Sequence, residues 1–177
     1  MTALVKFFLR IFLFTIFIFV VVNTGVLLLL GVTPNWPRDL IAKLIISFVL
    51  ASMFFTIQFI RLRKMGINRP SSDQLKVCQS SVISSGLDFF QIEEKIRADK
   101  FFGKMKMTLE GTIIEIHSKL SWWSWGEKIK IEKIGSHNSK FEYKVTSAPV
   151  LKTTLVDYCR NLENMLGITH ILQSKTV

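Results

Sequence analysis

Residues 11–30 form a run of twenty without a single charged side chain. A helix rises about 1.5 Å per residue, so this run covers about 30 Å, the thickness of a bilayer's hydrocarbon core. A second uncharged run follows at residues 44–60. A soluble domain of this size has too little surface to cover two such runs. Two transmembrane helices, at about 11–31 and 40–60, are therefore expected. Asn23, Thr24 and Gly25 interrupt the first run without breaking it. Small and polar residues inside a span tend to sit against a neighbouring helix. Lys43 lies at the outer end of the second run and is expected to reach toward the headgroups.

The segment between the runs is Gly31-Val-Thr-Pro-Asn-Trp-Pro-Arg-Asp39. Its glycine and prolines end one helix and start the next. So short a connection requires an antiparallel hairpin, with Trp36 placed for the membrane–water interface. Lys6 and Arg10 precede the first run. Arg61, Arg63, Lys64 and Arg69 follow the second, with no acid before Asp73. By the positive-inside rule both termini are expected in the cytoplasm, on a multi-pass protein of the inner membrane. A cleaved signal peptide fits poorly. The apolar stretch is too long, and no A-x-A-like site follows it.

Residues 61–74 read as a basic juxtamembrane linker, and residues 75–177 as a cytoplasmic α+β domain. The basic residues there are the topological signal, and they also attract anionic lipid. Of the 23 Lys and Arg, 18 lie beyond Arg61, together with 12 of the 13 acids. An excess this small keeps a domain soluble beside an anionic membrane. It is no footprint of nucleic-acid binding, and nucleic acid is not the expected partner. The bilayer is the expected partner, together with a protein partner or further copies of the chain. Cys78 and Cys159 stand alone, and His117, His137 and His170 complete no metal-ligand spacing. No metal and no cofactor is expected.

Within this domain, residues 76–84 are weakly β-like. Asp88 followed by Gln91 has the spacing of a capping box, and Phe89, Ile92 and Ile96 recur at helical spacing. A helix is expected at about 88–101. Alternation then predicts strands at 104–109, 112–117 and 127–134, with a tight turn at Glu110-Gly111 and a hairpin loop over 135–139. Phe141, Tyr143 and Val145 line one face of a fourth strand that stops before Pro149. Thr154 and Asp157 have capping-box spacing for a last helix, whose stripe includes Leu162, Met165 and Leu172. Strands followed by a helix give an antiparallel sheet packed by helices.

Two stretches are candidates for recognition. Three of the four tryptophans, Trp122, Trp123 and Trp125, fall between two strands. They suit the end of the core, the membrane interface, a ligand pocket or a protein contact. Asp157, Asn161 and Asn164 are spaced i, i+4 and i+7, on one face of a helix. They suit a polar ligand, or hydrogen bonds to the loops between the strands. No G-x-S-x-G, Walker lysine loop or H-E-x-x-H occurs. Alternation puts most of Glu110, Glu115 and Glu127 on a solvated sheet face. No catalytic residue is assigned, and the reading leans away from an enzyme.

Taken together, Ser121-Trp-Trp-Ser-Trp-Gly-Glu127, Ser147 to Pro149, and Thr153-Thr-Leu-Val-Asp-Tyr158 with Asn161 and Asn164 form a pattern. It resembles that of a family of uncharacterised bacterial proteins, over roughly the last 70 residues. The resemblance implies a prokaryotic origin and no known activity. It also implies that these segments form one structural unit. The family carries a glycine after the Asp-Tyr pair, where this chain has Cys159. The expected function is a membrane-anchored interaction module that binds a partner protein or the inner membrane surface. The alternative is a tethered domain for a small molecule or lipid.

Overall fold

The computed structural model describes residues 2–33, 35–119, 126–137, 140–151, 153–154 and 156–174. The chain divides into two compact units, Met1–Leu75 and Lys76–Val177.

The first unit is a helical hairpin of α1 (Ala3–Leu29) and α2 (Trp36–Lys64). Both helices are long and apolar enough to cross a membrane. They outrun the uncharged segments because Lys and Arg are good helix formers and can extend a helix past its apolar part. Arg61, Arg63 and Lys64 therefore belong to the last turn of α2, not to a linker. Cations there complement the helix dipole.

The buried residues of α2 are Lys43, Ser47, Ala51, Gln58 and Leu62, a single face. Phe8 of α1 packs edge-on against Phe48 and Phe55, with ring centroids 5.8 Å apart in each pair. Thr15 donates to the Ser47 carbonyl at 3.5 Å. Lys43 turns onto α1, where its ammonium donates to Thr24 Oγ1 at 3.3 Å, 5.7 Å from the Trp36 ring. Thr24 thus sits against the neighbouring helix, as its place in the run predicts.

The second unit is an α+β domain. Its antiparallel sheet comprises β1 (Gln79–Ser85), β2 (Lys106–Glu110), β3 (Ile113–His117), β4 (Glu127–His137) and β5 (Lys140–Pro149). The order is β1-β5-β4-β3-β2. Helices α3 (Phe89–Ala98) and α4 (Arg160–Gln173) complete the domain, with a single 3-10 turn at Phe102–Lys104.

Period two decides which residues enter the core. Ile114 and Ile116 of β3, Ile129 and Ile131 of β4, and Tyr143 and Val145 of β5 are fully buried. They form one cluster with Ile92 and Ile96 of α3 and with Met165, Ile168 and Leu172 of α4. The intervening residues, among them Glu115, Lys128, Lys130 and Thr146, face the other side of the sheet.

The capping box at α3 is complete. Asp88 accepts from the Gln91 N–H at 2.8 Å, and Gln91 accepts from the Asp88 N–H at 2.9 Å. The helix ends at Ala98, short of the expected 101, because the Asp99 carboxylate captures the N–H groups of Phe101 and Phe102. A side chain that bonds locally to the backbone competes with helix continuation. The pull-back delays β2 to Lys106.

At the next hairpin, β4 runs past the expected end to His137, and β5 begins at Lys140. Gly135 is a strand residue at a register shift, not a loop residue. Glycine inside a strand commonly marks such a bulge.

The last helix departs most from expectation. Thr154 does not cap it. Its hydroxyl donates to the Leu151 carbonyl at 2.7 Å, and the helix starts only at Arg160. Tyr158 (φ 50°) and Cys159 (φ 61°) are both left-handed. Two such residues in succession cannot belong to a right-handed helix.

Candidate functional site

Three separate segments meet at one end of the sheet. Gly126 and Glu127 open β4, Ser147 to Pro149 close β5, and Asp157 to Asn164 enter α4. In the ladder Glu127 lies opposite Pro149, and Ile129 opposite Ser147. The Gly126 carbonyl accepts from the Val150 N–H at 3.0 Å. Gly126 takes φ +84°, a conformation that favours glycine, with the Ser118 carbonyl close by.

Ser147 is fully buried and donates to Asn161 Oδ1 at 2.7 Å. Asn164 Nδ2 donates to Ser147 Oγ at 3.4 Å. Asn161 Nδ2 donates to Asp157 Oδ2 at 2.9 Å. The left-handed pair at 158 and 159 turns the chain so that Asp157 faces the start of α4. There its carboxylate accepts the N–H groups of Cys159 at 3.2 Å and Asn161 at 3.0 Å. An anion at a helix N-terminus is favoured by the orphan N–H groups and by the dipole. Burial nevertheless pushes the Asp157 carboxyl above its ordinary value, against the lowering effect of those hydrogen bonds.

Asp157, Asn161 and Asn164 therefore converge as their spacing suggests, although Asp157 precedes the helix instead of lying on it. All three are buried, with their side chains turned to one another and to the sheet.

Glu127 is also buried, the one of Glu110, Glu115 and Glu127 that does not lie on a solvated face. Alternation assigns it to the core side, since it shares parity with Ile129 and Ile131. Its carboxylate accepts from the Ser118 hydroxyl, while the Ser118 oxygen accepts the Glu127 N–H at 2.7 Å. The Ser118 N–H in turn donates to the Glu127 carbonyl at 3.0 Å. Ser118 and Glu127 thus tie together the two flanks of the segment that carries the tryptophans. Trp122, Trp123 and Trp125 themselves lie outside the described residues. Nothing in the sequence singles out Ser118 as Glu127's partner.

The opposite face of the sheet holds a cleft of about 540 Å³ at this same end. Its described lining includes Ala148, Pro149 and Val150 as an apolar part, with His117, Lys128 and Lys130 beside them. The register accounts for the grouping, since His117 lies opposite Lys128, and Lys130 opposite Thr146. Lys128 pairs with Glu115 at 2.8 Å and Lys130 with Glu132 at 3.1 Å. The Lys128 hydrogen bond holds the Glu115 carboxyl below its ordinary value, with His117 adding to the effect. Sequence reasoning missed this cleft. Alternation places each residue on the open face, but only the register makes them neighbours.

Among the described residues no group of three or more His, Cys, Asp or Glu is arranged to hold a metal ion. Compared with known proteins, no family model, no curated protein and no solved structure matches the chain.

Proposed function

We propose that this protein is a membrane-anchored, non-enzymatic binding module that recognises a partner protein. In this reading α1 and α2 span the bacterial inner membrane. Lys6, Arg10, Arg61, Arg63, Lys64 and Arg69 retain both termini in the cytoplasm, near anionic lipid. The α+β domain then works at the cytoplasmic surface, and its recognition surface is the end of the sheet at which Ser118 and Glu127 flank the tryptophan segment.

One observation carries this reading: the Ser118–Glu127 clamp. A buried carboxylate is spent on tying together the flanks of an aromatic-rich segment. Binding energy at protein contacts concentrates in aromatic residues held by a preorganised base. The Ser147–Asn161–Asp157 cluster supports the same end from the helix side. These polar groups bond to one another, as a mount does, instead of opening toward a substrate.

The test is to replace Trp122, Trp123 and Trp125 by Ala in the full chain and to crosslink in native membranes. The partner recovered with wild type should disappear, while the thermal transition stays in place. An unchanged set of recovered proteins rules the loop out as the contact.

The cleft supports a second reading, a tethered domain for a small or lipid-like ligand. Its volume is within the range of ligand sites, about 300–1,000 Å³. Apolar Ala148, Pro149 and Val150 would take a tail, and Lys128 and Lys130 an anionic head. Native mass spectrometry of the detergent-extracted protein should then show a bound mass that Ala148→Trp removes. No bound mass in either protein counts against this reading.

A further inference from the structure

Each sheet has two edges, and proteins normally protect both with charge, proline, bulges or shortness. Here the two differ. The β2 edge is five residues long, carries Lys106 and Glu110, and is guarded in the usual way. The β1 edge is seven residues long, reads Gln79-Ser-Ser-Val-Ile-Ser-Ser85, and holds no charge and no proline. Its register with β5 runs unbroken from Gln79↔Ser147 to Ser85↔Phe141, so no bulge twists it away. Ser80, Ser81, Val82 and Ser84 are exposed. Val82, a strand-favouring apolar residue, is 60% exposed on the face away from the helices.

We propose that this edge pairs with the β1 edge of a second copy of the chain, antiparallel about a two-fold axis at Val82, joining two sheets into one. The strand is its own complement. A two-fold axis perpendicular to the sheet keeps each face on its own side, so residues of equal parity must meet. Centring on Val82 puts Val82 opposite Val82, Ser80 opposite Ser84, and Ser81 opposite Ile83. These pairs are small or β-branched, the remaining one sets Gln79 opposite Ser85, and none brings like charges together. Isologous contacts of this kind are the commonest route to closed homodimers.

A second observation also selects another copy over an unrelated strand, and it rests on the membrane reading above. Asn23 is exposed on α1 among exposed Val21, Val22 and Val26, and among the described residues its amide has no partner. An amide facing hydrocarbon is satisfied by a neighbouring helix. Two copies anchored in the same orientation carry this amide at the same membrane depth, where the helix of one copy can satisfy the amide of the other.

The test is site-specific oxidation of the full chain, in membranes and again in detergent, with exposed Cys78 changed to Ser. Residues opposite each other in an antiparallel pair have Cα atoms about 4.5–5.5 Å apart, within disulfide range. Val82→Cys alone should convert the chain to a disulfide dimer. Ser80→Cys alone and Ser84→Cys alone should not, because each lies opposite the other. The two mixed together should crosslink. Adding Val82→Lys to that mixture, which places two ammonium groups face to face, should remove the product. Thr108→Cys on the β2 edge should give none.

No dimer from Val82→Cys, a dimer equally strong from Thr108→Cys, or a crosslink to a different protein overturns the proposal. Because the assay runs in detergent as well, a wrong membrane assignment leaves it decidable. A chain that stays in solution without detergent and still gives the Val82→Cys dimer discards that assignment and keeps the strand pairing, and a dimer in detergent that is missing in membranes overturns the proposal.

Discussion

The Ser147 hydroxyl donates to the Asn161 side-chain carbonyl at 2.7 Å, tying the end of β5 to the first turn of α4. Both residues are fully buried, so breaking the tie strands its partner away from water. Asn161→Ala removes the acceptor for Ser147 and the amide that donates to Asp157. The expected loss is about 2–4 kcal/mol of stability, the sum of two uncompensated buried groups at about 1–3 kcal/mol each less partial relaxation. Denaturant unfolding of the detergent-solubilised chain measures it. A loss below the error of the fit would mean that water replaces these bonds.

The pH response of this cluster has a definite sign. Burial holds the Asp157 carboxyl above its unfolded value. The folded state therefore binds a proton more readily than the unfolded chain. The resulting stability is complete below the unfolded value and is lost as pH rises through the folded one. Glu115 runs the other way. Its lowered value gives stability that is complete above the ordinary range and is lost as pH falls through the folded value. Asp157→Asn should remove the first trend, and Lys128→Met the second. Melting temperature against pH, followed from below to above the ordinary carboxylate range, separates the two trends because they have opposite sign.

Tyr143 is fully buried, and its hydroxyl donates to the Leu87 carbonyl at 3.0 Å. Desolvation, with Asp88 assisting, pushes the phenol up to about 12. Tyr143→Phe keeps the ring and removes the donor, so a loss of about 1 kcal/mol is expected. The absorbance change for phenolate formation above the ordinary tyrosine range should vanish in the same variant. Ionisation of this phenol in the ordinary range would mean that the site is open to water.

Gly103 follows α3 and packs against it. A Cβ built there would stand 2.3 Å from the Arg97 carbonyl oxygen, against backbone that cannot step aside. Gly86 has nothing within 4 Å of the same position. Gly103→Ala should destabilise by about 1–3 kcal/mol, the usual range for forced overpacking. Gly86→Ala should change little. Equal effects would show that the turn after α3 yields freely.

Much of this fold is written in period and spacing. The two apolar helices follow from uncharged length. The core residues of β3, β4 and β5 follow from alternation, and the start of α3 follows from Asp88 and Gln91. What stayed hidden depends on partners distant in sequence. The Thr154–Asp157 spacing imitates a capping box, but Tyr158 and Cys159 go left-handed and move the helix start to Arg160. Cys159 has φ 61°, a conformation in which a glycine would be free of strain. Alternation gives Glu127 the parity of Ile129 and Ile131, but not the partner that makes its burial tolerable, Ser118, nine residues back. The cleft cannot be read from any single segment, because His117, Lys130 and Ala148 meet only through the register.

The strand order bears on biosynthesis. The first strand to leave the ribosome is paired with the last, Gln79 opposite Ser147. The β2–β3, β3–β4 and β4–β5 hairpins close locally, while β1 waits for the whole intervening chain. Non-local pairing of this kind is slow, and an unpaired strand is a hazard until it is met. A nascent or truncated chain that stops short of β5 leaves β1 open to proteases and aggregation. Arrival of β5 therefore ends the stage of folding in which the β1 backbone lies open on both sides.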